Sequence, residues 1–154
     1  MRKKILVTLV MAVGMVLFQG CGHRGEDAVS LMEQGVRCFQ AGDYAGAAAA
    51  YQRAIDLEPG NPVAYNLLGM ARRFQYNATG DPSMRARETA AFRRAVDLDP
   101  NFLAAVKNLA ATLHRDGDLA GAAGLARRAL EINPDDPEKE ILKTWIRDIR
   151  SKVK

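Results

Sequence analysis

Residues 42–59 read GDYAGAAAAYQRAIDLEP, and residues 117–134 read GDLAGAAGLARRALEINP. Nine of the eighteen aligned residues are identical, at an offset of 75 positions. A third copy lies between them, since residues 94–100 (RAVDLDP) match residues 53–59 (RAIDLEP). The copies close on Pro59, Pro100 and Pro134, with spacings of 41 and 34. A unit of this size cannot bury its own apolar face, so its neighbours must cover it. The chain is therefore expected to be an array of stacked helical units.

The spacing within the copies is specific. Leu31 and Gly35 are followed by Ala47 and Tyr51; Tyr65, Leu68 and Gly69 are followed by Phe92; Val106 and Ala110 are followed by Ala122 and Ala126. Small residues let two helices approach, and the larger ones fill the layers around that contact. These residues resemble the tetratricopeptide pattern W-x₂-L-G-x₂-Y…A-x₃-F…P. The resemblance implies an all-α fold, a right-handed α-solenoid of three helix pairs plus a C-terminal capping helix. The expected divisions are a leader at 1–20, a tether at 21–26, repeats at 27–61, 62–102 and 103–136, and a cap at 137–154.

Repeat two is seven residues longer than the period. Gly69 to Gly80 is 11 positions, against 7 from Gly35 to Gly42, and Gly80 to Pro100 is 20, against 17 from Gly42 to Pro59. One helical turn takes ~3.6 residues, so each helix of this pair is predicted to gain about one turn. The Gly-Asp dipeptides at 42–43, 80–81 and 117–118 are expected to stop one helix and cap the next. Arg72 and Glu88 replace the motif's Tyr and Ala on facing helices; either an Arg72–Glu88 ion pair is expected between them, or both side chains snorkel to water. After Pro134, Ile141, Leu142, Trp145, Ile146 and Ile149 form an apolar stripe at helical spacing. A cap is favoured for this segment over a basic helix lying on a membrane.

The N-terminus reads as an address. Arg2, Lys3 and Lys4 precede a 14-residue, almost wholly apolar run at 5–18, then Gln19-Gly20-Cys21. A basic head, a short apolar centre and a small-residue end describe an export signal. The close of this segment resembles a bacterial lipobox, which implies cleavage before Cys21 and lipidation of that cysteine. By the same resemblance the anchor is a diacylglyceryl (palmitate-type) lipid, and Gly22 after the cysteine favours the outer membrane, periplasmic side. The tether 22–26 then spans less than ~20 Å at ~3.6 Å per residue, which holds the domain near the surface. Without residues 1–20 the net charge falls from +4 to about +1, so the basic balance is no argument for nucleic-acid binding.

Nothing in the chain composes a reaction centre, and no cofactor or metal is called for. His114-Arg115-Asp116 has the letters of a kinase catalytic triplet but lacks the Leu and Asn that should follow. Asp116-Gly117-Asp118 is too short for a calcium loop. Cys38 falls at a core position of the repeat.

A second stripe, beside the core stripe of the first helix, comprises Val29, Met32, Val36 and Phe39. In tetratricopeptide proteins this stripe lines a concave groove where peptides dock. The matching positions are Val63, Asn66, Met70 and Arg73 in repeat two, and Ala104, Lys107, Ala111 and His114 in repeat three. The resemblance therefore implies a groove apolar at its N-terminal end and basic at its C-terminal end, suited to a protein or peptide segment with apolar anchors and an acidic part. Chaperone-binding members use a clamp of two Lys, two Asn and one Arg. Met32 and Val36 occupy two of those positions, so that activity does not carry over. The implied function is a lipid-anchored scaffold for protein–protein interaction in the bacterial cell envelope, with pilus, secretion or envelope assembly as candidate settings. The alternative is a homo-oligomer built through the apolar first helix.

Overall fold

The computed structural model describes residues 27–152. Among these the elements are seven helices: α1 (Ala28–Gln40), α2 (Tyr44–Leu57), α3 (Pro62–Thr79), α4 (Pro82–Leu98), α5 (Leu103–Arg115), α6 (Leu119–Ile132) and α7 (Lys139–Lys152). Each packs against its successor, giving the pairs α1/α2, α3/α4 and α5/α6 with α7 laid on α6. The three-pair solenoid and its cap are thus as expected. Among the described residues, no helix is long and apolar enough to cross a membrane.

Local chemistry sets the helix boundaries. Gly42, Gly80 and Gly117 adopt positive φ (78°, 71° and 87°), the left-handed conformation that ends a helix at little cost for glycine. The next residue in each case is an aspartate that caps the following helix. Asp43 accepts from the Gly46 N–H at 2.8 Å, Asp81 from Ser83 at 2.9 Å and Asp118 from Gly121 at 2.9 Å. At the turn between repeats one and two, Asn61 accepts from Val63 and Ala64, and Pro62 opens α3.

The extra residues of repeat two lie in its helices. α3 has 18 residues against 13 in α1 and α5, and α4 has 17 against 14 in α2 and α6. Gly80 stops α3, and Asp81 starts α4 immediately after it. Register is kept because the glycine-to-glycine and glycine-to-proline spacings grow by four and three residues, each about one turn.

In the first two pairs a glycine lies under a large ring. An added Cβ on Gly69 would stand 2.6 Å from the edge of the Phe92 ring, and one on Gly35 would overlap the Tyr51 ring. Both rings are buried, so neither glycine has room for a side chain. In repeat three, Ala110 and Ala126 are both wholly buried, and the helices meet over methyl groups.

α7 closes the open end. Leu142 is wholly buried against Val106, Ala126 and Ala129, with Trp145 and Ile146 packed beside it. Ile141, counted in the same stripe, is half exposed. The stripe is wider than the surface that α6 offers, and its edge residue turns outward.

Candidate functional site

The first helices of the repeats, with α7, carry two depressions. The N-terminal one encloses about 150 Å³ and is lined by Val36, Phe39 and Gln40 of α1, Tyr51 of α2, and Leu67 and Met70 of α3. At its rim Phe39, Tyr44 and Phe74 form a ring cluster with centroids 5.1–5.3 Å apart. Phe39 meets both other rings edge-on, which holds it in a fixed orientation. The C-terminal depression is larger, about 640 Å³. It is lined by Arg73 of α3, by Phe102, Leu103, Ala104, Lys107, Asn108 and Ala111 on and just before α5, and by Glu138 and Trp145 from the α7 segment.

The expected groove residues divide accordingly. Val36, Phe39 and Met70 meet at the first depression; Arg73, Ala104, Lys107 and Ala111 meet at the second. Met32 packs against two core clusters and lines neither. Asn66 is buried, with its Oδ1 accepting from Asn108 Nδ2 at 2.9 Å. His114 stacks on Trp145 and its Nε2 lies 2.8 Å from Asp148 Oδ2. Val29 and Val63 are exposed outside both depressions, Val29 at 65%. Cys21 and the leader 1–20 lie outside the described residues.

Between the depressions runs a polar network centred on Glu88 of α4. Its carboxylate is fully buried and accepts from Arg73 Nε at 2.7 Å, from Arg115 Nη2 at 2.8 and 3.0 Å, and from the Thr112 hydroxyl at 2.8 Å. Arg73 also donates to Asn108 Oδ1 (3.1 Å) and the Asn108 carbonyl (3.0 Å), and its guanidinium lies 4.8 Å from the centroid of Phe92. This corrects the expected Arg72–Glu88 pair. Adjacent helical residues point about 100° apart, so Arg73 reaches towards α5, where Glu88 also points. Arg72 instead donates to Gln75 and lies against Met84.

The basic C-terminal end also needs correction. Lys107 Nζ lies 2.9 and 3.0 Å from the two oxygens of Asp136, and 3.0 Å from Glu138. Desolvation is the largest influence on Lys107 and works to lower its pKa. The bonds to the two acids outweigh it and hold the ammonium above its ordinary range. The Lys107 bond first, and the Glu138 N–H second, hold the Asp136 carboxyl below its ordinary range. One ammonium thus faces two carboxylates. Arg73 and His114 likewise each meet an acid, so this end offers no surplus of positive charge.

Sequence reasoning missed Glu138, Trp145 and Asp148 as groove-side residues because it assigned the last segment to capping alone. The signal was present. The offset of 75 that relates the two quoted stretches also carries Val63, Met70 and Arg73 onto Glu138, Trp145 and Asp148. In its groove-side positions α7 matches the first helix of a further repeat. Among the described residues, no group of three or more His, Cys, Asp or Glu could hold a metal ion.

Known proteins share this arrangement. A TPR repeat model matches residues 35–72, and a tetratricopeptide repeat model matches residues 89–137. The first TPR domain of the human RPAP3 protein is similar at 25% identity and TM-score 0.69, with 81% of this chain and 94% of that one covered. The first TPR of Spaghetti (RPAP3), solved bound to the HSP90 peptide SRMEEVD, gives 24% identity and TM-score 0.69, covering 80% and 94%. The Yersinia enterocolitica type III secretion chaperone SycD, in complex with a peptide of the translocator YopD, gives 18% identity and TM-score 0.67, covering 82% and 94%. Domains of this kind generally mediate protein–protein interaction. With its three helix pairs, its capping helix and these matches, the chain is a tetratricopeptide-repeat protein.

Proposed function

We propose that this chain is a lipid-anchored scaffold of the bacterial cell envelope that captures a protein or peptide segment in its groove. The observation that carries the reading is the depression formed by Val36, Phe39 and Met70, an apolar recess left open on a helix whose opposite side is already in the core. A recess of this size takes one apolar side chain as an anchor. Peptide complexes of the similar RPAP3 and SycD domains support a segment as the ligand class. The charge of that segment departs from the sequence expectation. With Lys107 held between Asp136 and Glu138, the C-terminal depression suits a neutral or basic stretch beside Trp145.

The anchor at Cys21 and the short tether 22–26 would raise the local concentration of any partner at the same membrane and strengthen a weak groove interaction. Assistance to pilus, secretion or envelope assembly fits such a scaffold. Replacing Cys21 by Ser should release the protein from membranes, and unchanged retention would remove lipidation from the reading.

A photo-crosslinking residue at position 39 or 70 in intact cells tests the groove. Both positions should capture the same protein, and a crosslinker at the remote Glu58 should not. Capture of lipid alone would overturn docking. The second reading, self-association, rests on Val29, an exposed apolar residue on the end helix. Sedimentation of residues 22–154 separates the two: a concentration-dependent dimer abolished by Val29→Glu would assign that face to a second copy.

A further inference from the structure

Away from the groove, α2, α3 and α4 enclose a depression of about 370 Å³ that shares no lining residue with either groove depression. Its wall combines Tyr65, Leu68 and Ala91 with Gln52 and two guanidinium groups, Arg72 and Arg87. Arg73, Arg85, Lys107 and Arg115 each have a carboxylate partner. Among the described residues, none stands within ion-pairing distance of Arg72 or Arg87. Arg72 Nη1 donates to the neutral Gln75 and approaches the Met84 sulfur. Arg87 acts on Asp81 through space only, as the weakest of the influences on that carboxyl. A third guanidinium, Arg94, lies 5.9 Å from the centroid of Tyr65.

Arg72, half-buried, and Arg87, exposed, face one recess without an acid between them and leave two positive charges available to an anion. Desolvation, and then the field of Arg87, pull the Arg72 guanidinium below its ordinary range, as expected of a cation lacking its counter-charge. Two guanidinium forks from different helices match the several oxygens of a phosphate better than the two of a carboxylate. The apolar wall adds room for a body attached to it, and the volume lies within the range of small-ligand sites.

We propose that the recess between α2, α3 and α4 binds a phosphomonoester carrying an apolar body, held by Arg72 and Arg87 with its apolar part against Tyr65, Leu68 and Ala91. The ligand is either a free organic phosphate or the headgroup of an anionic lipid, which present the same group to the same residues.

The test uses the full chain with phenyl phosphate as the probe, followed by methyl NMR of Leu68 and Ala91. Saturable shifts at both methyls are expected, with inorganic phosphate and benzoate binding more weakly. Arg87→Gln, at an exposed position that cannot disturb the core, should weaken phenyl phosphate about tenfold, and Arg72→Gln at least as much. Co-sedimentation with phosphatidylcholine vesicles, with and without phosphatidic acid, separates the sources. An Arg87-dependent gain from phosphatidic acid assigns the site to lipid; phenyl phosphate binding without that gain assigns it to a free ligand. Absence of both, or binding that both variants leave unchanged, overturns the proposal. Inorganic phosphate binding as tightly as phenyl phosphate would overturn the apolar-body part.

Discussion

Arg73 Nε lies 2.7 Å from Glu88 Oε1, and the carboxylate it meets is wholly buried. The pair joins α3 to α4, and its continuation through Thr112 and Arg115 ties both to α5. The motif's small apolar contact in repeat two is thus replaced by a charged link to the next repeat. A buried ion pair is weak evidence for stability, but removing one partner leaves the other desolvated. Glu88→Ala should destabilise the domain by about 3 kcal/mol in urea unfolding, since two guanidinium groups would then face each other. Adding Arg73→Leu should recover part of that loss, giving a coupling above about 1 kcal/mol in the double-mutant cycle. Additive single effects would show that the two side chains do not act together.

Glycine substitutions should split by sign. At Gly69 a Cβ would stand 2.6 Å from Phe92, so Gly69→Ala must displace a buried ring and should cost about 1–3 kcal/mol. Gly124 lies within α6, and an added Cβ there meets nothing within 4 Å. Gly124→Ala should therefore stabilise by up to about 1 kcal/mol through helix propensity alone. Thermal unfolding of the two variants beside the parent decides it, and a shift in the same direction for both would refute the packing account.

These two glycines mark what was legible in the sequence. Gly35 with Tyr51 and Gly69 with Phe92 recur as small-against-large pairs, 16 and 23 positions apart, because helix-on-helix contact demands that match and the seven added residues lengthen the second pair, so fold, pairing and the longer second pair followed from counting. The groove was legible in position but less so in charge. Which of Arg72 and Arg73 faces Glu88 depends on one 100° step round a helix and on where the next repeat sits. Which acids meet Lys107 depends on the turn before α7, a tertiary fact that no local pattern encodes. Cys21 and the leader rest on sequence alone.

The cap should govern the whole array. Leu142 is wholly buried over Val106, Ala126 and Ala129. Leu142→Ala should cost about 2–5 kcal/mol and red-shift the emission of Trp145, the chain's one tryptophan. Because neighbouring units support one another, the loss should appear as earlier unfolding of the entire domain, followed by far-UV circular dichroism. A separate, earlier transition confined to Trp145 would mean that α7 only decorates an array stable without it.

The contact between Lys107 and Asp136 makes the cap's docking depend on pH, and the two shifts set the window. The Asp136 carboxyl is held below its ordinary value by the Lys107 bond and the Glu138 N–H. A group depressed by folding contributes stability above its unfolded pKa, about 3.9, and loses it as pH falls through the folded value. The Lys107 ammonium is held above its ordinary value because its acid partners outweigh desolvation. Its contribution is complete below about 10.4, the unfolded value, and is lost as pH rises through the folded one. Both describe one interaction, so the stabilisation is expected as a plateau from about pH 4 to about pH 10. Asp136→Asn removes it while leaving the other carboxylates to titrate as before. The gap between parent and variant in urea midpoint, read from Trp145 fluorescence, should be constant from pH 5 to pH 9 and narrow as pH approaches 3. A gap as wide at pH 3 as at pH 7 would show that Asp136 acts through its turn geometry, accepting from the Glu138 N–H, and not through its charge.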